Sequence, residues 1–410
     1  MESIPFGTLP HPVSPTAKLT PFTISIPDHE LERLNLLLKH STIARPNIWN
    51  SGEGGSLGIS REKVVNLVEH WKNVYDWRKW ESALNSIPQY KITLSDDDSK
   101  SYEIHFFGLF STNTSAIPVV LLHGWPGSMV EFLPILLKLR SQYEPSSLPY
   151  HIIVPHFVGF PFSSAPPLNR EFTHLDNARL ITRMVHALGF SESGYVVQGG
   201  DLGSATATAI ASVDPACKLV HVNLLQIPPP VGVDIEADIK AGKYTPEEII
   251  SLNNTADFLK TGTAFIMIDG HEPSTAGLLI GSNPVALLTW IGGKMVEWSD
   301  ETPDVDLILT NVALYWFTGC YSTSIGHHRL ISGGNFEPLT GGWKTVEVPL
   351  GYSWFMKEIS NPPKVWIDQT GKVSWYRTHS KGGHFAALEK PEELWEDVED
   401  FIAEFWSKAA

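Results

Sequence analysis

The chain has 410 residues, 42% hydrophobic and 18% charged, which is enough apolar material for a large buried core and argues against disorder. Thirty basic residues against 45 acidic ones give a net charge of −15, which argues against nucleic acid or an anionic membrane surface as a partner. Two cysteines, Cys217 and Cys320, cannot build a disulfide framework or a cysteine-rich zinc site, and no apolar run approaches the roughly 18–20 residues of a membrane span.

The opening MESIPFGTLPHPVSP has neither a basic segment nor a long apolar one, so no signal peptide or anchor is expected. The closing SKAA is not a peroxisomal address, and a cytoplasmic location is the expectation. Residues 1–20, rich in Pro, Ser and Thr, read as an extended arm. Asp28 is expected to cap a helix through Leu31, Leu34 and Leu37. After the Gly/Ser-rich loop 51–60, Ser60 caps a second helix with Val64, Leu67, Val68 and Trp71 on one side. Residues 75–88 read as a third helix, ended by Pro88.

From Tyr90 the apolar period drops to two, and YKITLSDD followed by YEIHFFG predicts a β-hairpin. Short continuous apolar runs then mark strands at Val119–Leu122, Tyr150–Pro155, Gly194–Gln198 and Leu219–Leu225. Helices are expected between them at 132–139, 177–188 and 204–212. This alternation indicates an α/β fold with a mostly parallel sheet covered by helices on both faces. Beyond Pro228–Pro230 the chain turns helical and aromatic. Strand character resumes at Val346–Leu350 and Val373–Arg377, and a last helix spans Pro391–Phe405. The expected organisation is an N-terminal arm and helical extension packing on the core (1–90), a core in two parts (91–230 and 341–410), and a helical cap (231–340) over the ligand-binding edge of the sheet.

Three motifs carry chemistry. In GYVVQGGDLGSATA (194–207) a strand runs into Gly199-Gly200-Asp201-Leu202-Gly203 and then a helix of small residues. That is the pattern of a nucleophile elbow, with Asp201 where serine usually stands; the bland reading is a tight turn with Asp201 as a helix cap. In VVLLHGWPGS (119–128) a buried strand delivers a loop whose Trp125 N–H suits half of an oxyanion hole, with the Leu202 N–H as the other half. His123 there reads as structural. In KGGHFAALEKP (381–391) His384 stands between a strand and the last helix, in the chain order nucleophile, acid, base. The acid that orients His384 is expected at Glu358, directly after the 346–350 strand, with Asp368 as the runner-up.

Gly54-Gly55-Ser56-Leu57-Gly58 matches G-x-S-x-G literally but has no strand before it, so Ser56 is read as a loop residue. His327-His328 are adjacent, His379 and His384 lie five apart, and no HExxH occurs, so no metal site is expected.

With these motifs in order, the chain resembles the epoxide hydrolases of the α/β-hydrolase fold, on the microsomal-type branch that includes soluble fungal enzymes. The likeness spans about residues 20–408 and also runs through YDWRKWESALNSIPQY, EPSTAG (272–277) and ALYWFTG (313–319). It implies Asp201 as nucleophile, His384 as the base that activates water, Glu358 as its partner, Trp125 and Leu202 as oxyanion donors, and Tyr315 as a cap tyrosine that protonates the epoxide oxygen. It implies a small apolar epoxide and water as reactants and no cofactor; homodimerisation is an expectation from the family alone. One position departs from the pattern. Phe265, eight residues before Pro273, stands where the family has its other tyrosine, so Tyr315 works alone, another donor such as Thr263 substitutes, or the substrate is not an ordinary epoxide.

The residue types fit the chemistry. Attack on an epoxide carbon by serine would leave an ether, whereas a carboxylate leaves an ester that water cleaves. The opening ring becomes an alkoxide and needs a proton donor. The aromatic cap implies an apolar substrate, with Trp125, Phe265, Trp290, Trp316 and Trp354 as candidate walls. Rival readings are a haloalkane dehalogenase, disfavoured because Leu202 follows the nucleophile where many such enzymes have Trp; an enzyme that opens an epoxide with an internal hydroxyl on a secondary metabolite; and a binding protein on a hydrolase scaffold.

Overall fold

A computed structural model describes residues 5–52 and 57–409. Its centre is a nine-stranded sheet of β1 (Lys18–Phe22), β2 (Gln89–Ser95), β3 (Ser101–Leu109), β4 (Ile117–Leu122), β5 (Tyr150–Pro155), β6 (Tyr195–Gly199), β7 (Cys217–Val222), β8 (Leu350–Lys357) and β9 (Val373–Gly383). Their spatial order is β1-β2-β3-β5-β4-β6-β7-β8-β9. The strands from β5 through β9 pair in parallel, and β1, β2 and β3 are joined antiparallel. Every residue of β5 and β6 is buried, and so is every residue of β4 except Ile117. Helices cover both faces of these strands, which is why they read as unbroken apolar runs.

The structure refines or departs from expectation at four places. The extended N-terminal arm ends in a strand of the sheet, with β1 pairing β2 from Lys18↔Thr93 to Phe22↔Gln89. Its Pro21 lacks a donor, and an edge strand tolerates that. The first helix, Asp28–His40, has Pro27 rather than Asp28 as its cap. The strand read at 346–350 begins only at Leu350, after a short turn of helix at Gly341–Thr345. A helix at Lys364–Thr370 connects β8 to β9, and it carries Asp368 exposed beside Lys364. Ser60 does cap Arg61–Asn73, accepting from the Lys63 N–H at 3.2 Å. Ser56 and its two preceding glycines lie outside the described residues.

The N-terminal extension packs on the cap as well as on the core. His70 Nε2 lies 2.7 Å from Asp306 Oδ1, Trp80 Nε1 donates to Asp306 Oδ2 at 3.0 Å, and the Tyr75 hydroxyl meets Thr310 Oγ1 at 3.0 Å. These contacts clamp the cap helix Val305–Thr318. Among the described residues, no single helix is long and apolar enough to cross a membrane.

Candidate active site

The strand–helix bend after β6 holds Asp201 at φ +50° and ψ −123°, a conformation that L-residues avoid. Holding a side chain there costs about 1–3 kcal/mol and requires crowding that leaves no alternative. That crowding is visible at three glycines. A Cβ on Gly203 would stand 2.1 Å from the Leu122 carbonyl oxygen, one on Gly199 2.3 Å from the Gly203 backbone, and one on Gly124 2.6 Å from Asp201 Cβ. The helix Leu202–Val213 can therefore sit against β4 only with glycine at these positions.

The Trp125 N–H donates to Asp201 Oδ1 at 2.8 Å. Leu202 opens its helix, and the first-turn N–H groups of a helix have no partner within it. Asp201 Oδ2 lies 3.6 Å from His384 Nε2, and the other ring nitrogen, Nδ1, lies 2.6 Å from Glu358 Oε1. Glu358 is fully buried just past β8, and its Oε1 also accepts the Ile359 N–H at 2.6 Å. β8 and β9 are neighbours in the sheet, so the acid and the histidine leave adjacent strand ends.

Burial alone would push the His384 imidazole down. The Glu358 carboxylate, then Asp201 and Glu131, more than offset it and lift it to about 9. Burial pushes the Glu131 carboxyl up to about 8. Its Oε1 accepts the Gly124 N–H at 3.3 Å. A pocket of about 10 Å³, roughly the room of one water molecule, lies between Glu131, Asn223, Asp201 and His384.

The larger cavity, about 80 Å³, opens on the other side of Asp201 beneath the cap. Its walls are largely apolar, with Trp125, Phe258, Phe265, Trp298, Leu339 and Trp343 among them. Phe265 stacks on Trp125 with ring centroids 5.3 Å apart and planes 11° apart. Of the other expected wall residues, Trp290 lines a neighbouring depression instead. Trp354 is buried with its indole N–H on the Pro362 carbonyl at 3.2 Å. Trp316 does not line the cavity either; it faces the N-terminal extension, with the Arg33 guanidinium 4.8 Å above its ring.

Tyr315 is also elsewhere than expected. It is fully buried, absent from the cavity wall, and its hydroxyl donates to the Gly127 carbonyl at 2.8 Å. In the same helix Asn311 donates from Nδ2 to the Pro126 carbonyl at 2.8 Å and accepts from Ser128 Oγ at 2.7 Å. Residues 126–128 are thus tied down by the cap helix, and Tyr315 is one of the ties. Thr263 is spent on the Leu259 carbonyl at 3.3 Å. His123 holds the loop from below, with Nδ1 2.9 Å from the Gly124 carbonyl.

The polar groups that line the cavity from the cap include Thr340, His327 and His328. Sequence reasoning weighed the two histidines only as metal ligands. Asp269, buried behind His328, was missed altogether. An acidic residue in the apolar helix AFIMIDGH is the signal that could have found it, because an isolated carboxylate is costly to bury.

The chain is similar to known proteins along most of its length. Residues 19–132 match the family described as epoxide hydrolase N terminus, and residues 117–244 match the alpha/beta hydrolase fold. A relative from Dothistroma septosporum, named as a candidate epoxide hydrolase, is 38% identical over 95% of this chain and 91% of its own length. The solved structure of Aspergillus niger epoxide hydrolase is 38% identical with a TM-score of 0.87, covering 98% of this chain and all of that one. Juvenile hormone epoxide hydrolase from the silkworm Bombyx mori, at 22% identity over 98% of this chain and 100% of its own, shares the fold with a TM-score of 0.82.

Proposed function

The chain belongs to the epoxide hydrolase family, and on that footing we propose that it converts a small apolar epoxide to a vicinal diol through an ester on Asp201. One observation carries the reading: a carboxylate on a forced bend, with Oδ1 on the Trp125 N–H at 2.8 Å and Oδ2 facing a Glu358-bound imidazole at 3.6 Å.

In the first step Asp201 Oδ2 attacks an epoxide carbon, the C–O bond of the ring breaks, and a donor protonates the leaving oxygen. In the second, His384 takes a proton from water, which attacks the carbonyl carbon of the ester. The Trp125 and Leu202 N–H groups hold the tetrahedral oxyanion, each worth about 3 kcal/mol in comparable sites. The small pocket beside Glu131 and Asn223 has the room for that water. The charge on Asp201 helps to keep the His384 imidazole protonated. Forming the ester removes that charge, so the imidazole falls toward neutrality just when a base is needed. Glu358 fixes the ring and stabilises the imidazolium that forms.

The test is a single turnover of a styrene-oxide-type substrate in ¹⁸O-water with protein in excess. The first diol should carry an oxygen from Asp201 and little label. A fully labelled first diol would overturn the covalent route.

A further inference from the structure

Ring opening requires a proton donor, and most donors on the cavity wall are committed to backbone carbonyls. Ser204 Oγ donates to Gly199 at 2.8 Å, Thr208 Oγ1 to Ser204 at 3.0 Å, Thr340 Oγ1 to Phe336 at 2.9 Å and Trp343 Nε1 to Gln226 at 3.2 Å. The Gln226 amide can donate a hydrogen bond but cannot give up a proton at ordinary pH. Phe265 has nothing to donate. The imidazoles of His327 and His328 remain.

His328 is the one with an orienting partner. Its Nδ1 lies 3.1 Å from Asp269 Oδ2, with the side chains 4% and 0% exposed. Neither atom has a hydrogen-bond partner among the described residues, and each is the polar atom the other faces, so a proton placed between them would satisfy both. Asp269 Oδ1 is held by the Tyr321 hydroxyl at 2.8 Å. The His328 ring stands edge-on to Trp125 at 4.5 Å and to Phe265 at 5.1 Å. It therefore sits between the oxyanion loop and the phenylalanine that replaces a donor.

We propose that the Asp269–His328 dyad is the proton donor for ring opening, with His328 as the catalytic residue and Asp269 as its positioning residue and proton reservoir. The inference rests on the ester reading above. As the epoxide C–O bond breaks, its oxygen takes the proton from His328 Nε2, and the Asp269 carboxyl proton moves to Nδ1. The imidazole begins and ends neutral, and Asp269 ends as a carboxylate. Hydrolysis of the ester returns Asp201 as a carboxylic acid; its ionisation supplies the proton that restores Asp269, so epoxide plus water balance to diol.

The surroundings suit this. Burial pushes the Asp269 carboxyl up to about 6, and burial together with the Lys294 charge holds His328 down to about 3. Both members are therefore neutral together below about pH 6, and the dyad loses its proton as pH rises above that. Lys294, with Nζ 4.0 Å over the Trp290 ring and 4.9 Å over Phe265, acts electrostatically on Asp269 and can stabilise the carboxylate formed. His327 packs against His328 with centroids 4.1 Å apart and planes tilted by 57°, and Tyr321, Lys294 and Arg329, on the Gly270 carbonyl, are the other titratable groups near the dyad.

The test is rapid mixing of the full-length protein with styrene oxide, following ester formation and ester decay separately by quenched-flow mass measurement. His328→Phe should slow ester formation by about 100-fold or more while the ester, once formed, decays at its wild-type rate. His328→Gln, which keeps an N–H of similar reach, should remain slow because an amide cannot relay a proton. Wild-type ester formation should fall as pH rises through Asp269's titration near 6, and Asp269→Asn should flatten that limb. Wild-type ester formation in His328→Phe would overturn the dyad alone, as would the loss following Tyr315→Phe or His327→Phe instead. Absence of any ester in the wild type would overturn the dyad and the ester reading together.

Discussion

The sheet edge and the cap meet across one cavity but hold their polar groups by different means. At the sheet edge, backbone sterics do the work. Asp201 is forced to φ +50°, and the close approaches at Gly124, Gly199 and Gly203 leave it no other pose. In the cap, side-chain packing and hydrogen bonds do it. Tyr315 and Asn311 tie the oxyanion loop, and Asp269 orients His328. A site set by backbone geometry leaves a spaced motif in the sequence, whereas one set by packing between distant helices leaves only isolated residues.

The comparison can be broken most forcefully at the nucleophile. Asp201→Ala should cut diol formation by about 10⁴-fold or more, measured as steady-state turnover; retained activity would remove the sheet edge from the mechanism. Next, Glu358→Gln should slow ester decay by up to about 10⁴-fold, so the ester accumulates and appears as an added substrate mass on the intact protein.

A third check is stability against pH. The His384 imidazole stands at about 9 in the folded protein, above its ordinary 6.5. The folded state therefore binds the proton more tightly, and its contribution is fully present below pH 6.5 and lost as pH rises to about 9. The span corresponds to about 3 kcal/mol. The Tm advantage of wild type over His384→Gln should shrink across that window, and a constant difference would refute the ion-pair account.

A fourth compares glycines. Gly203→Ala must push a Cβ onto the Leu122 carbonyl and should cost about 1–3 kcal/mol in urea unfolding. Gly326→Ala in the cap meets nothing within 4 Å and should stay within about 0.5 kcal/mol. Between those two lies Tyr315→Phe, expected to cost about 1 kcal/mol of stability from one lost hydrogen bond to Gly127.

The parallel strands were legible because full burial on both faces writes an unbroken apolar run, as at 150–155 and 195–199. The elbow, the oxyanion loop and the final histidine were legible because each combines glycines, needed for close approach, with one reactive residue between them. Glu358 was recognisable by topology, although its strand begins later than the sequence suggests. The cap was legible only as helical and aromatic. Tyr315 and Trp316 lie on a helix buried almost all round, so no periodicity tells which side faces the substrate.

Local sequence thus determined the alternation of strands and helices and the three motifs along one edge of the sheet, because glycine spacing and hydrophobic period act within a few residues. Only the tertiary structure decided which cap residues reach the cavity. That depends on how residues 269, 315 and 328, distant in the chain, are turned by the packing of the cap helices against each other, the oxyanion loop and the N-terminal extension.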